Sequence, residues 1–155
     1  MIRTTLISVV IALSGATAAA AQSCPAEPEF VGHRTGNANN RAAANAIARG
    51  ELDVARHFAE QAAYSRSAPS VRGAGYANLC AAAALQGDQE VAAEACDRAV
   101  EMRDENWRAY TNRGAAAWLA GDYASASADF TRAAELEAGE DAVTVNLRLS
   151  QCAAS

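Results

Sequence analysis

A repeat with a period of 34 residues constrains the fold of this 155-residue chain more than any other feature. A step of 34 residues back from the turn Gly121-Asp122 reaches Gly87-Asp88, and the same step carries Tyr110, Ala126 and Ala133 onto Tyr76, Ala92 and Ala99. A further step of 37 residues, lengthened by three residues near 70–72, reaches Gly50, Ala55 and Ala62. Periods of this length are typical of two-helix units that stack on their neighbours.

Each copy contains two helical stretches separated by a turn that holds a glycine. In the clearest copy the stretches read NWRAYTNRGAAAWLA and YASASADFTRAAEL, on either side of Gly121-Asp122. About a quarter of the chain is Ala, the residue with the highest helix propensity. The sequence therefore predicts three helix-turn-helix units, at 36–69, 73–106 and 107–140.

The residue sizes within the units fit helices that pack closely. Small residues that allow close approach fall at Cys80, Ala92, Gly114 and Ala126. Larger residues expected to fill the space between pairs are Leu79, Leu119, Phe130 and Leu136. Because a terminal helix pair cannot bury its apolar face alone, residues 141–155 are expected to form a capping helix and tail, with Val145, Leu149 and Cys152 on the inner face.

These repeats resemble the tetratricopeptide repeat family. The resemblance is carried by the 34-residue period, by the string GDYASASADFTRAAEL at 121–136, and by small residues at Gly114 and Ala126 with core positions at Phe130 and Ala133. It covers about residues 36–140. It implies an all-α fold, a right-handed superhelical solenoid of three helix-turn-helix repeats followed by the capping helix.

The N-terminus has the pattern of a secretory signal peptide, expected at residues 1–21. Arg3 precedes an apolar run from Leu6 to Leu13, which is too short to cross a bilayer, and an Ala-rich cleavage site ends at Ala21. Residues 22–35, with two of the three prolines, are expected to form an extended leader. A buried N-terminal helix and a lipoprotein anchored at Cys24 are the alternatives.

Charge and address exclude two classes of partner. Loss of residues 1–21 leaves 12 Arg against 18 acidic residues, a formal net charge of −6, and the chain contains no Lys. An acidic surface disfavours nucleic acid and anionic membranes, and no segment outside the signal is long and apolar enough to span a membrane. The expected location is periplasmic or secreted, in a Gram-negative bacterium.

Four cysteines in an exported chain favour disulfides over free thiols. Cys80 and Cys96 are expected mid-way along the two helices of one pair, and the sequence predicts a bond between them. Cys24 and Cys152 form a second candidate pair if the leader reaches the cap. Buried free thiols at Cys80 and Cys96 are the alternative.

No motif for catalysis or cofactor binding is present. His33 and His57 lack cysteines or acids at metal-ligand spacing, and the sequence contains neither a Gly-rich phosphate loop nor a G-x-S-x-G motif. We therefore expect no enzyme activity, no metal and no cofactor.

The family resemblance implies a concave groove, lined by the first helix of each repeat, that binds a protein or peptide. By register the candidate binding residues are Asn40, Arg41, Asn78, Arg108, Thr111, Asn112 and Trp118. Asn side chains can hold a peptide backbone, and Arg can pair with a carboxylate. Some family members clamp a C-terminal carboxylate. Asn78 matches one position of that clamp and Arg108 keeps the positive charge at another where Lys is usual, whereas Asn40, Ala44 and Asn112 depart from it. Trp118 is either a partner anchor or a core residue between the third repeat and the cap.

Three functional hypotheses follow. The first is a periplasmic scaffold that engages a peptide or envelope protein through the groove. The second is a structural subunit of a larger envelope or secretion assembly, held by the leader and the cap. The third is a redox sensor that works through a reversible Cys80–Cys96 bond. The sequence leaves the partner, the oligomeric state and the order of the leader open.

Overall fold

The computed structural model describes residues 23–154, and within that range it contains seven α-helices and no strand. The helices are α1 (Ala38–Arg49), α2 (Leu52–Ala63), α3 (Pro69–Gln86), α4 (Gln89–Met102), α5 (Trp107–Leu119), α6 (Tyr123–Leu136) and α7 (Asp141–Ala153). The predicted signal peptide, 1–21, lies outside the described residues.

The helices stack as three antiparallel pairs and a cap. Helices α1, α3, α5 and α7 contact one another in that order, and each second helix of a pair also packs against the first helix of the next. The all-α helical-repeat solenoid predicted from the sequence is confirmed.

A repeated glycine turn, Gly-Asp in two copies and Gly50-Glu51 in the first, ends one helix and begins the next. Gly50, Gly87 and Gly121 have φ angles of 70°, 80° and 83°, in the left-handed region that residues with a side chain rarely adopt. After two of these turns, Asp88 and Asp122 accept hydrogen bonds from the backbone N–H groups of Val91 and Ser125. An aspartate in this position satisfies an N–H group that has no partner within the helix.

Two details differ from the sequence expectation. Helix α3 begins at Pro69, one turn before the expected start of the second unit at residue 73, because proline is favoured in the first turn of a helix. Leu119 was expected to fill the core, but it is 45% exposed because it is the last residue of α5 and borders the turn. Leu79 and Phe130, by contrast, are each 1% exposed.

A disulfide links the two helices of the central pair. Cys80 on α3 and Cys96 on α4 are bonded, with a Cα–Cα distance of 4.8 Å, and both are buried. In the chain-entropy model a bond across a sequence separation of 16 residues contributes about 3 kcal/mol to stability. The surrounding core consists mostly of Ala.

Gly114 sets the distance between α5 and α6. A Cβ atom placed there would lie 2.7 Å from Cε1 of the Phe130 ring and 3.1 Å from Cβ of Asp129. The first distance can be relieved only by a shift of the Phe130 ring, and the second is a few tenths of an ångström shorter than ordinary van der Waals contact. Glycine at this position therefore allows the close approach of α5 and α6.

We predict that Gly114→Ala lowers the free energy of unfolding by about 1–3 kcal/mol, because the buried Phe130 ring must move. Urea denaturation followed by circular dichroism measures the change. Gly36→Ala is the matched control, since a Cβ there would meet nothing within 4 Å, and it should change stability by less than about 0.5 kcal/mol. Equal stability of the two variants would show that the α5–α6 contact is not tight.

Candidate functional site

Helices α1, α3, α5 and α7, which contact one another in that order, each carry one fully buried asparagine. These residues are Asn40 on α1, Asn78 on α3, Asn112 on α5 and Asn146 on α7, and all are 0% exposed. An amide buried to this degree must find hydrogen-bond partners or it destabilises the fold. We call Asn78, Asn112 and Asn146 the asparagine ladder.

The partners of the ladder belong to the chain's own N-terminal segment, residues 23–37, which forms no helix. Oδ1 of Asn146, Asn112 and Asn78 accepts from the backbone N–H of Glu29, Val31 and His33, at 2.7, 2.8 and 2.6 Å. Nδ2 of the same asparagines donates back to the carbonyl oxygens of the same three residues, at 2.8, 2.9 and 3.0 Å. Each asparagine thus holds both backbone groups of one segment residue.

The ladder requires an extended backbone. Successive helices α7, α5 and α3 each hold one residue of the segment, and the held residues are two apart in sequence. An extended chain advances about 6.5–7 Å in two residues, with the amides of alternate residues on the same side. An α-helical peptide would advance only about 3 Å. Pro28, directly before the first held residue, is compatible with an extended chain and unfavourable in a helix interior. We call residues 29–33 the docked segment.

The same asparagines also tie neighbouring helices together. Nδ2 of Asn112 donates to the carbonyl of Ala77 on α3 at 2.9 Å. Nδ2 of Asn40 donates to the carbonyl of Val71, also on α3, at 2.9 Å and to Oγ1 of Thr35 at 3.1 Å. We call the surface that carries these asparagines the groove. Because the same side chains bond to neighbouring helices, the groove is part of the packing of the solenoid.

The docked segment also meets the solenoid through its side chains, among them Val31, which packs against the cluster of Trp107, Ala133 and Val143. Phe30 packs against two apolar clusters, the central core and the group of Ala115, Ala126 and Phe130. Gly32 lies so close to α1 that a Cβ would be 2.7 Å from both Cα and Cβ of Ala44. A backbone atom cannot yield as a flexible side chain can, so only glycine fits at this place.

Both ends of the N-terminal segment are fastened. Cys24 is bonded to Cys152 at the end of α7, with a Cα–Cα distance of 5.9 Å. At the other end the Arg41 guanidinium donates to the carbonyl oxygens of Thr35 and Gly36. The segment thus crosses the groove from the cap to the first helix, in the direction opposite to the order of the repeats.

His33 is held as a neutral imidazole. Nδ2 of Asn106 lies 3.2 Å from His33 Nδ1, where it donates to an unprotonated ring nitrogen. Burial, followed by the positive charges of Arg108 and Arg103, lowers the pKa of His33 from 6.5 to about 4. Protonation of this ring therefore opposes docking of the segment.

The structure places the candidate binding residues in three groups. Asn78 and Asn112 hold the docked segment, while Asn40 and Arg41 hold residues 35 and 36. Arg108 is half-buried with its guanidinium 4.0 Å above the Trp107 ring, and burial lowers its pKa.

Thr111 and Trp118 differ from the expectation. Thr111 is 0% exposed, and its hydroxyl donates to the carbonyl of Trp107 one turn earlier, so it does not reach a ligand. Trp118 packs edge-on against Tyr123 and against the cluster that includes Phe130. It therefore lies within the third pair, not between that pair and the cap.

Sequence analysis missed two parts of the site. Asn146 lies 34 residues after Asn112, so the repeat period, extended into the capping helix, leads to it. The docked segment itself carries almost no signal, because the ladder contacts its backbone.

Two clefts on the described surface are large enough to consider as sites. One of about 480 Å³ borders the docked segment at Glu29–Gly32, between Ile47–Ala48 and Glu140–Ala142. A larger cleft, of about 600 Å³, lies between α4 and α6. Its central cation, Arg113, is paired with Asp129 at 2.8 Å and with Asp97 at 3.2 Å, so its charge is satisfied within the chain.

Within residues 23–154 no group of three or more His, Cys, Asp or Glu side chains is placed to hold a metal ion. Over the same range, no helix has the length and apolar character needed to cross a membrane.

No protein-family model and no curated protein matches this chain. Among solved structures, the chain is similar to the first tetratricopeptide domain of Spaghetti (RPAP3), solved bound to the HSP90 peptide SRMEEVD. The TM-score is 0.59 at 26% identity, and the match covers 74% of this chain and 90% of that chain. The fold is a tetratricopeptide-like solenoid. The likeness extends over most of the described residues.

We predict that Asn112→Ala lowers the free energy of unfolding by about 1–3 kcal/mol, because the backbone of Val31 and the carbonyl of Ala77 lose their partner. Hydrogen exchange of the Val31 amide should accelerate in the same variant. Asn39→Ala is the control, since that side chain makes no hydrogen bond to the docked segment. If both variants exchange at the wild-type rate, the ladder does not hold the segment in solution.

We predict that the wild-type chain loses about 1–2 kcal/mol of stability between pH 7 and pH 5. The pKa of His33 is 6.5 in the unfolded chain and about 4 in the folded chain. Between pH 7 and pH 5 the unfolded chain therefore binds a proton that the folded chain does not, so the free energy of unfolding decreases as the pH is lowered. Urea midpoints at both pH values measure the effect. His33→Gln should remove most of it, and an unchanged pH dependence in that variant would contradict the assignment.

Proposed function

We propose that this chain is an extracytoplasmic scaffold that binds an extended segment of a partner protein along its asparagine ladder. The observation that carries the proposal is the paired hydrogen bonding of Asn78, Asn112 and Asn146 to alternate residues of an extended backbone. Amide side chains that pair with both the N–H and the C=O of a residue bind main chain and ignore side chains. Such a row is a receptor for extended peptide, whichever chain supplies it.

The solved neighbour supports the same function. That domain was solved with a bound peptide, and the structural match covers 74% of the present chain. The present ladder differs from a carboxylate clamp, because it holds the interior of a segment and no chain end. We therefore propose a partner that contributes an internal extended stretch.

The proposed location is the periplasm or the extracellular space. All four cysteines are bonded in two pairs, Cys24–Cys152 and Cys80–Cys96. Disulfides of this kind persist in oxidising compartments, and the signal-like N-terminus predicts export to one. The Arg-only, Ala-rich composition favours a Gram-negative bacterium.

A second candidate function is a structural subunit held by its ends. The Cys24–Cys152 bond joins the start of the N-terminal segment to the end of the cap. This leaves both near one end of the solenoid, where a larger assembly could contact them together. The two candidates use different surfaces and are separable by mutation.

We predict that the chain with Cys24→Ser and Cys152→Ser captures a protein from an envelope extract, and that adding Asn112→Ala abolishes the capture. Freeing the segment exposes the ladder, and Asn112 contributes its central pair of hydrogen bonds. Mass spectrometry of the retained proteins gives the readout, and adding Asn39→Ala instead serves as the folded control.

Equal capture by the Asn112→Ala and Asn39→Ala chains would reject groove binding and leave the end surfaces as the site. Circular dichroism must first show that both variants retain wild-type helix content.

A further inference from the structure

The docked segment makes two kinds of contact with the groove. Hydrogen bonds to its backbone supply affinity, and contacts of its side chains supply selectivity. Six hydrogen bonds run between ladder amides and the backbone of Glu29, Val31 and His33. Any extended chain could form these bonds. The side-chain contacts depend on the identity of the residue: Phe30 and Val31 pack on apolar clusters, and the His33 ring meets Asn106. Of the contacted positions, Gly32 leaves no room for a Cβ, and Phe30 reaches two clusters.

The Gly32 place rejects every residue with a Cβ. A Cβ there would lie 2.7 Å from Cα and 2.9 Å from the carbonyl oxygen of Ala44. These are main-chain atoms of α1, which is fixed by its packing against α2 and α3. Larger side chains must therefore push the whole segment away from the ladder.

The Phe30 place favours an aromatic residue. Its ring packs against clusters formed by two successive helix pairs, among them Ala83, Ala116 and Phe130. These clusters are made mostly of alanine, and small walls leave room for a large, flat side chain. A small residue at this place would leave the space between the pairs unfilled.

We infer that the docked segment is a built-in competitor, and that the partner segment carries an aromatic residue two positions before a glycine. This inference rests on the proposed function, and it specifies the ligand and what must be displaced. The same aromatic-x-Gly pattern, Phe30-Val31-Gly32, is what the chain presents to its own groove.

Geometry explains why the competitor is effective. Only residues 34–37 separate the docked segment from α1, and the Cys24–Cys152 bond holds the other end. A short tether gives an effective concentration on the order of millimolar. The Cys24–Cys152 bond further raises the fraction of molecules in which the docked segment occupies the groove. A segment from another chain therefore competes poorly until one of the two attachments is lost.

The test uses the synthetic peptide EPEFVGHR, which copies residues 27–34, with a fluorescent label read by anisotropy. Four folded full-length chains are compared: wild type; C24S/C152S; C24S/C152S with Gly32→Val; and C24S/C152S with Gly36→Ala. The Gly32→Val change expels the internal segment, whereas a Cβ at Gly36 meets nothing within 4 Å.

We expect the Gly32→Val chain to bind the peptide about 100-fold more tightly than wild type, in line with loss of a competitor at millimolar effective concentration. C24S/C152S and its Gly36→Ala form should bind equally, between these limits. Equal binding by wild type and the Gly32→Val chain would overturn the competitor. No binding by the Gly32→Val chain with wild-type helix content would show that the segment is a permanent part of the fold.

Selectivity is tested on the peptide itself. Gly32→Ala and Phe30→Ala in the peptide should each weaken binding at least about 10-fold, in keeping with the cost of overlap or of an unfilled space. Glu27→Gln, at an exposed position, should leave it unchanged. Equal binding of all four peptides would refute the aromatic-x-Gly requirement.

Should the Gly32→Val chain not fold, C24S/C152S must still bind the peptide more tightly than wild type, or the inference fails. Peptide binding without capture of any extract protein would reject the proposed partner and retain the groove specificity. Capture lost with Asn112→Ala, but without peptide selectivity, would do the reverse.

Discussion

The paired amide–backbone hydrogen bond is the interaction on which the arrangement of this molecule depends. Asn78, Asn112 and Asn146 are fully buried only because an extended chain lies over them and satisfies both ends of each amide. Without that chain, or water in its place, each side chain would carry an unpaired donor and acceptor. Asn78 and Asn112 also donate to the backbone of a neighbouring helix, so occupancy of the groove and packing of the solenoid are coupled.

The composition of the core explains why the N-terminal segment contributes to stability. Most buried apolar residues are Ala, and large fully buried side chains such as Leu79, Phe130 and Val143 are few. Hydrophobic stabilisation scales with buried area, so an alanine core gains little from each residue. Phe30 adds aromatic surface, and the Cys24–Cys152 bond, across a separation of 128 residues, adds up to about 5 kcal/mol in the chain-entropy model.

Local rules predicted the solenoid, since helix propensity, small residues and the Gly-Asp turns repeat with one period and agree with one another. The same rules were less accurate for the burial of individual residues, especially near the end of a helix. Leu119 matches a core pattern and is exposed at a turn, and Thr111 matches the groove register and is buried. The sequence predicted an extended leader and offered Cys24–Cys152 as a second pair, and both are present. The position of the segment over the ladder could not be predicted, because its partners bind its main chain and main chain leaves no pattern in the sequence. Gly32 is the exception, and its meaning depends on the position of Ala44.

Backbone recognition also sets a limit on how this groove can discriminate among ligands. A ladder that binds any extended chain gains affinity from each repeat but no selectivity, so selectivity must come from the few places where a side chain, or its absence, meets the wall. The close approach at Gly32 supplies exclusion, and the alanine-lined space at Phe30 supplies attraction. The docked segment, fastened at both ends, then satisfies the buried amides until a partner segment of higher affinity displaces it. Protection of the fold and restriction of binding are therefore consequences of one contact.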